Sequence, residues 1–333
     1  MRDGGASAAR GLTAVVPTRG SDTLAGALGS LATALLELGQ GTEIVVVDDA
    51  ASPPVSPPAS FQGIPVRVLR SSTRRGFGPA VNLGVRASTS RWVAIVNDDV
   101  ELERDCLALL CAALEDGKAW VACPAIAARE GASSSAHGAW LIDESLYRLT
   151  WDRATLRTIP IPLGRTLEPH YPSGALAVYD RACWEELGGY DERLAPYYWE
   201  DVDLGLRARA RVAAGDVRFH ALHVPAAAAR HARHATVARE ARWLRKTIYR
   251  RNRELVIARH LADSARRRWH VAALLARAAR GLLAGDASHL LGACWAWRLG
   301  LAGRRGSPPP TATLDAIFTS RGGVVPGSSE RRS

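Results

Sequence analysis

Arg91-Trp92-Val93-Ala94-Ile95-Val96-Asn97-Asp98-Asp99-Val100 is the stretch on which the reading of this chain turns. An apolar run of strand length ends abruptly at a polar, doubly acidic step. Val93 to Val96 are β-branched or small and suit a strand buried on both faces of a parallel sheet. Asn97, Asp98 and Asp99 then stand at the carboxyl end of that strand, where open α/β sheets place their ligands. Adjacent carboxylates repel and are costly to desolvate, a cost that a hard divalent cation with oxygen ligands offsets. The plainer reading is that the two acids open a turn and help to start a helix at Asp105-Cys106-Leu107. Both readings stand at this point.

Upstream, the pattern is strand, helix, strand. Leu12 to Val16 read as a strand leaving through Pro17-Thr18-Arg19-Gly20. Leu24, Leu28, Leu31, Leu35 and Leu38 recur at helical spacing, with Ser21 or Asp22 as cap and Gly39 as stop. Glu43 to Val47 form a second buried strand ending in Asp48-Asp49, which completes a βαβ unit. Pro65 to Leu69 is a short further strand. Arg74-Arg75-Gly76-Phe77-Gly78 reads as a basic turn entering a helix that carries Asn82 and Gly84. Such a turn is either a diphosphate cradle or a glycine turn with solvated charges. No Gly-x-Gly-x-x-Gly follows the first strand and no Walker-type loop occurs, which argues against nicotinamide enzymes and P-loop nucleotidases.

Downstream, Trp120 to Pro124 is a short strand and residues 129 to 138 a loop. Residues 139 to 172 show no clean periodicity and read as irregular. Pro172 to Tyr179 is a strand, and Asp180 caps a helix that Gly188-Gly189 ends. Tyr190 to Tyr198 is a loop delivering Trp199-Glu200-Asp201-Val202-Asp203 into a further helix. Three acids in a first turn favour the helix dipole without any chemistry. Tyr198 and Trp199, however, offer an aromatic wall for an acceptor, and a carboxylate at a helix start is held ionised, as a general base requires. Val217 to His220 reads as strand. His220, His223, His231 and His234 crowd the region that follows, and one imidazole among them suits an oxygen-plus-nitrogen metal site. Three helical stretches, from Ala238, Trp269 and Ser288, mix Arg with Leu and Trp. They either rest on an anionic bilayer or pack back on the preceding domain.

The chain of 333 residues is 47% hydrophobic, enough for one large domain with an appendage, and its formal net charge of +10 favours anionic partners. Arginine accounts for almost all of the positive charge, so the charge is not taken as a sign of nucleic-acid binding. Cys106, Cys111, Cys123, Cys183 and Cys294 are odd in number with no Cys-x-x-Cys pair, as in reduced cytoplasmic proteins. No signal core precedes Leu12 and no segment is apolar enough to span a bilayer, so a cytoplasmic protein, or one peripheral at the inner face of the membrane, is expected. The expected organisation is a leader over 1–10, a catalytic domain over 11–235, a helical extension over 236–303 and a disordered tail over 304–333.

The order of motifs resembles the bacterial family 2 glycosyltransferases, in particular a rhamnosyltransferase-like group with the GT-A fold. Val15-Val16-Pro17-Thr18-Arg19, Val46-Val47-Asp48-Asp49, Gly76-Phe77-Gly78 with Asn82 and Gly84, and Gly188-Gly189-Tyr190-Asp191-Glu192 followed by Trp199-Glu200-Asp201-Val202-Asp203 carry the resemblance. It implies an α/β GT-A fold, a mostly parallel central sheet flanked by helices, with a C-terminal helical extension. It implies that Pro17, Thr18, Arg19, Asp49, Arg75, Asn82, Asn97 and Asp98 contact a nucleotide-sugar donor. Asp99, with His231, would hold manganese or magnesium. Asp201 would be the general base of an inverting transfer with Glu200 beside it, and Trp199 and Tyr198 would meet a glycan, lipid-linked or small-molecule acceptor. The chain departs from the family in carrying Asn97 where many members have the first acid of Asp-x-Asp, and in Arg19-Gly20 after Thr18. A nucleotidylyltransferase of similar fold, or a catalytically silent sugar- or membrane-binding relative, is the alternative. The first would carry a Gly-rich, Lys-containing loop after strand one, which is absent.

Overall fold

A computed structural model describes residues 11–39, 41–128, 142–162, 168–231, 240–303 and 314. The expected leader over 1–10, the loop over 129–138, His234 and nearly all of the tail over 304–333 lie outside the described residues.

The central strand is Trp92–Val96, buried along its whole length. In chain order the strands are β1 (Leu12–Thr18), β2 (Thr42–Asp48), β3 (Ser60–Phe61), β4 (Ile64–Arg70), β5 (Trp92–Val96), β6 (Val100–Leu102), β7 (Val121–Ala128), β8 (Ile142–Asp152), β9 (Thr155–Pro162), β10 (Leu176–Asp180) and β11 (Ala221–His231). The helices are α1 (Leu24–Leu36), α2 (Phe77–Arg86), α3 (Cys106–Leu114), α4 (Arg181–Leu187), α5 (Glu200–Ala213), α6 (Arg242–His260), α7 (Ser264–Leu283) and α8 (Ser288–Gly303). The sheet order is β3-β4-β2-β1-β5-β10-β7-β11-β6. β4, β2, β1 and β5 run parallel, β10 is inserted antiparallel between β5 and β7, and β11 runs parallel to β7.

Alternation along the strands sorts the core into two layers. Ala14, Val16, Ile44, Val46, Ala94 and Val96 face one way and pack with the leucines of α1 and with Leu107 and Leu110 of α3. Val15, Val45, Val47, Val93 and Ile95 face the other way, against Val81 and Val85 of α2, Trp184 of α4 and Leu204 of α5. Helix α2 lies so close to the sheet that a Cβ on Gly84 would stand 2.3 Å from Val15 Cγ1, which explains a glycine there. A third apolar cluster joins Leu149 and Leu156 of the β8–β9 hairpin to Val202 and Leu206 of α5 and Val256 and Ile257 of α6. The C-terminal helices thus pack back on the catalytic layers through α6, and α8 packs on α6.

The structure corrects several local expectations. Within the stretch 139–172, expected to be irregular, the described residues 142–162 form a long antiparallel hairpin, β8 with β9. Its turn has Arg153 and Ala154 at φ 48° and 55°, a left-handed pair usually taken by Asn and Gly, so the sequence lacks the usual turn signal. Val217–Phe219 is a single 3-10 turn, and the strand follows it at Ala221. Helix α1 begins beyond Thr23, and neither Ser21 nor Asp22 caps it directly. Four of the five cysteines are buried and all are free thiols.

Candidate active site

The sheet topology builds the first half of the site. The chain leaves β5 at Asn97, whose N–H donates to the carbonyl of Ala175 at 2.9 Å, and turns so that Val100 N–H reaches Asn97 O at 3.2 Å. β6 then pairs antiparallel with the end of β11, with His231 opposite Val100. That register brings His231 Nε2 to 3.0 Å from Asp99 Oδ1. Helix α3 starts later, with Asp105 at its N-cap, so neither Asp98 nor Asp99 serves it as a cap. The Thr18 hydroxyl at the end of β1 donates to Asp98 Oδ2 at 2.5 Å, and Thr23 Oγ1 donates to the Asp98 carbonyl at 2.8 Å. Burial pushes the Asp98 carboxyl up to about 6, against the lowering effect of Thr18; a bound cation would reverse that shift.

The second βα connection supplies the next wall. Asp49, after β2, accepts from the N–H groups of Arg75 at 2.7 Å and Gly76 at 2.9 Å. Gly76 has φ +96°, and a Cβ there would lie 2.5 Å from the Cα of Pro196. This glycine therefore lets the basic turn meet the loop that leads to α5. Asp48 turns away from the site and binds Ala51 N–H at 2.7 Å, Val55 N–H at 3.1 Å and the Arg70 guanidinium.

The loop before α5 supplies the other half. Tyr198 and Trp199 both have left-handed backbones, φ 77° and 76°, a rare conformation for aromatic residues. The side chain of Asn252, fully buried in α6, holds the loop by donating to the carbonyls of Leu194 at 2.5 Å, Tyr197 at 3.0 Å and Tyr198 at 2.8 Å. Arg251 donates to Ala195 O and to Leu194 O beside it. The strained turn aims Glu200 and Asp201 inward. Asp201 accepts from its neighbour Val202 N–H at 2.7 Å and from Gly174 N–H at 3.3 Å. Burial raises both carboxyls; Glu200, with the Asp201 charge beside it and Oε2 without a hydrogen-bond partner, is raised further. Asp201 is thus the carboxyl with backbone N–H donors to hold a charge, and Glu200 the one whose Oε2 has none. The third acid of the turn, Asp203, does different work. It faces Arg207 at 2.9 Å, His260 at 2.9 Å and Arg259 at 3.3 Å, inside the protein.

The two halves meet in one cavity of about 870 Å³. Pro17, Thr18, Arg19, Asp49, Asn97, Asp98, Asp99 and His231 line it, together with Tyr198, Trp199, Glu200 and Asp201. Arg75 and Asn82 do not. The Arg75 side chain reaches Glu192 at 3.1 Å. Asn82 is buried below the wall, giving 2.8 Å to the Tyr190 carbonyl and accepting 2.9 Å from its N–H. His220 pairs with Glu168 at 3.0 Å and also lies off the cavity. The sequence reading passed over Tyr147 and Thr158 of the hairpin, Tyr171, and Arg245 and Tyr249 of α6, all of which line the cavity. The alternation Tyr147, Leu149, Trp151 was the available signal for the hairpin.

Asp99 and His231 are chemically suited to Mn2+ or Mg2+. Among the described residues no three His, Cys, Asp or Glu side chains gather around one point; an ion held by Asp99 and His231 would need phosphate oxygens and water for its other ligands, which such ions commonly accept.

The model of glycosyl transferase family 2 matches residues 13–188, a little over half of the chain. The chain belongs to this family. Its fold is GT-A. Among curated proteins it is 35% identical over 88 residues to the succinoglycan biosynthesis protein ExoO of Rhizobium meliloti (strain 1021). That alignment takes in 26% of this chain and 24% of ExoO, so the chain spans about a quarter of the curated relative it matches. Among solved structures, GalNAc-T7 with UDP, GalNAc and Mn2+ superposes with a TM-score of 0.54 at 16% identity, over 76% of this chain and 48% of that one. The mannosyltransferase PcManGT from Pyrobaculum calidifontis, with GDP-Man and Mn2+, gives a TM-score of 0.49 at 17% identity, over 92% and 79%.

Proposed function

We propose that this family member is an inverting, metal-dependent transferase that moves a sugar from a nucleoside-diphosphate sugar to an acceptor hydroxyl, with Asp201 as general base. The observation that carries this reading is that Asp99 and His231 line the same cavity as Asp201. A divalent cation bound at Asp99 and His231 would offset the negative charge developing on the departing diphosphate. The chain's own groups do the rest. Thr18, Arg19, Asp49 and Asp98 form the wall that receives the nucleotide. Asp201, anchored by two backbone N–H groups, takes the acceptor proton as the hydroxyl attacks the anomeric carbon from the face opposite the leaving group. Glu200, protonated, keeps a second negative charge away from Asp201. Tyr198 and Trp199 present rings for the acceptor to lie against.

A deoxythymidine-diphosphate rhamnose donor and a cell-surface glycan acceptor follow from the resemblance of the motifs. A glycan acceptor agrees with the succinoglycan biosynthesis in the name of ExoO. Placement at the inner face of a membrane is supported by the surface of α7 and α8. Trp269, Leu275, Leu283 and Trp297 are between 64% and 91% exposed there, among Arg268, Arg280 and Arg298. No helix among the described residues is long and apolar enough to cross a bilayer.

The test is hydrolysis and binding of a panel of UDP-, GDP- and dTDP-sugars with Mn2+ or Mg2+, against a chelated control. Metal-dependent release of the nucleoside diphosphate from one donor, abolished in Asp99→Ala, is expected. A panel in which no donor binds or turns over would sink the reading and favour a catalytically silent relative.

A further inference from the structure

We propose that the acceptor side of the cavity contains an anion subsite in which Arg245 pairs with a carboxylate or phosphate carried by the acceptor glycan. The inference rests on the reading of Asp201 as the base that meets the acceptor.

Three arginines line the cavity, and two are already partnered. Arg19 and Arg74 both pair with Glu240, which also takes the hydroxyl of Tyr197. Arg245 has no carboxylate partner among the described residues, and its buried Nε–H meets no acceptor. A guanidinium presents its donors as a planar fork that matches a carboxylate or phosphate edge. A buried donor left without an acceptor is costly, so an arriving anion gains from a pairing that the protein itself does not provide.

The surroundings of Arg245 select the rest of the ligand. Tyr249 lies one helical turn further along α6 and lines the same cavity. Its ring is 5.7 Å from that of Tyr198, and Tyr147 and Tyr171 stack at 6.1 Å with planes 16° apart. Tyr171, Tyr249 and Thr158 line the same cavity as Asp201. Flat rings with hydroxyls at their rims suit pyranose faces. The fork beside them suits an acidic substituent near the hydroxyl that Asp201 deprotonates. The ligand class is thus an acidic glycan, its charge either the carboxylate of a uronic acid or the phosphate of a sugar phosphate.

The experiment measures dissociation constants of full-length protein, loaded with UDP and Mn2+, for p-nitrophenyl β-D-glucoside, p-nitrophenyl β-D-glucuronide and the 6-phosphate of the glucoside. At least one acidic compound is expected to bind about ten-fold or more tightly than the neutral one, the range of one charge-assisted hydrogen bond. Which of the two gains tells carboxylate from phosphate. Arg245→Gln should erase the preference and leave neutral-glucoside and UDP affinity unchanged, while Arg245→Lys keeps part of it. Equal or absent binding of all three, a preference that survives Arg245→Gln, or weaker UDP binding in that variant would overturn the proposal. Asp201→Asn separates the two readings. If it still transfers sugar at the parental rate while the acidic preference persists, the base assignment fails and the anion subsite stands.

Discussion

The side-chain amide of Asn252 lies 2.8 Å from the carbonyl oxygen of Tyr198. A residue of the C-terminal helix therefore holds the backbone turn that presents Glu200 and Asp201. Asn252 is fully buried and spends one amide nitrogen on three carbonyls. Asn252→Ala removes the side-chain donor from the carbonyls of Tyr197 and Tyr198, while Leu194 O keeps Arg251, at a cost of about 1–3 kcal/mol. Turnover should fall more than stability suggests, because the left-handed pair Tyr198-Trp199 loses its clamp. Chemical denaturation together with transfer kinetics checks this; a variant with lowered stability and unchanged turnover would refute the clamp.

The two carboxyls of that turn should respond differently to neutralisation. Asp201→Asn removes a proton acceptor and is expected to lower turnover about 10²- to 10⁴-fold. Glu200→Gln replaces a carboxyl already protonated and should retain most activity. Burial raises the Asp201 carboxyl. A base must be ionised, so the rate should climb with pH on the acid side, with an inflection above the usual carboxylate range. In Glu200→Gln the inflection should stay in place, since burial and backbone N–H groups, not a charge on Glu200, set the Asp201 carboxyl. A pH–rate profile of both proteins reads this directly.

Asp203 governs stability in acid. Its carboxyl is held far below the ordinary range, against burial, by Arg207, His260 and Arg259. A depressed carboxyl stabilises the fold above the unfolded value of about 4, and that stability is lost as pH falls through the folded value. Burial lowers His260, so its neutral ring favours the fold fully above about 6.5 and less as pH drops. Thermal denaturation should therefore show the Asp203 contribution to Tm lost below about pH 4, while between about pH 4 and 6.5 the raised carboxyls of Asp98, Glu200 and Asp201 oppose the His260 effect. Asp203→Asn leaves buried cationic groups without their counter-charge, costs about 3–5 kcal/mol at neutral pH and flattens the steep acid limb.

The exposed apolar residues of α7 and α8 predict binding to anionic vesicles. Vesicles containing phosphatidylglycerol should sediment the protein, phosphatidylcholine alone should not, and added salt should weaken the association. Replacing Trp269 and Leu283 together by Ser should cut partitioning about ten-fold or more, with donor binding unchanged. Binding that ignores lipid charge, or a concentration-dependent dimer in place of vesicle binding, would count against a membrane face.

Much of the cavity wall formed by the ends of β1, β2 and β5 was legible in the sequence because it is local. Val93 to Val96 run straight into Asn97, Asp98 and Asp99, and Gly76 and Gly188 stand where the backbone needs a left-handed residue. What stayed hidden depends on long-range pairing. The pairing of His231 with Asp99 was reached only through the family resemblance, because its basis, the register of β11 on β6, is announced by no local pattern. The β8–β9 hairpin lacks a glycine or asparagine turn. Asn82 sat in a motif that pointed to the nucleotide, yet its amide matches the backbone of Tyr190, a residue 108 positions away. Arg245, Tyr249 and Asn252 lay in a helix whose arginines masked their inward neighbours.

The cavity is assembled from two lengths of chain with separate origins in the fold. The wall bearing Thr18, Asp49, Asp98 and Asp99 comes from the stretch shared with the family, residues 13–188, whereas Tyr198, Trp199, Arg245 and Tyr249 come from beyond it. His231 and Asp201 also come from beyond residue 188, while Tyr147 and Tyr171 come from before it, so a chimera joined at residue 188 would exchange parts of both walls of the cavity together.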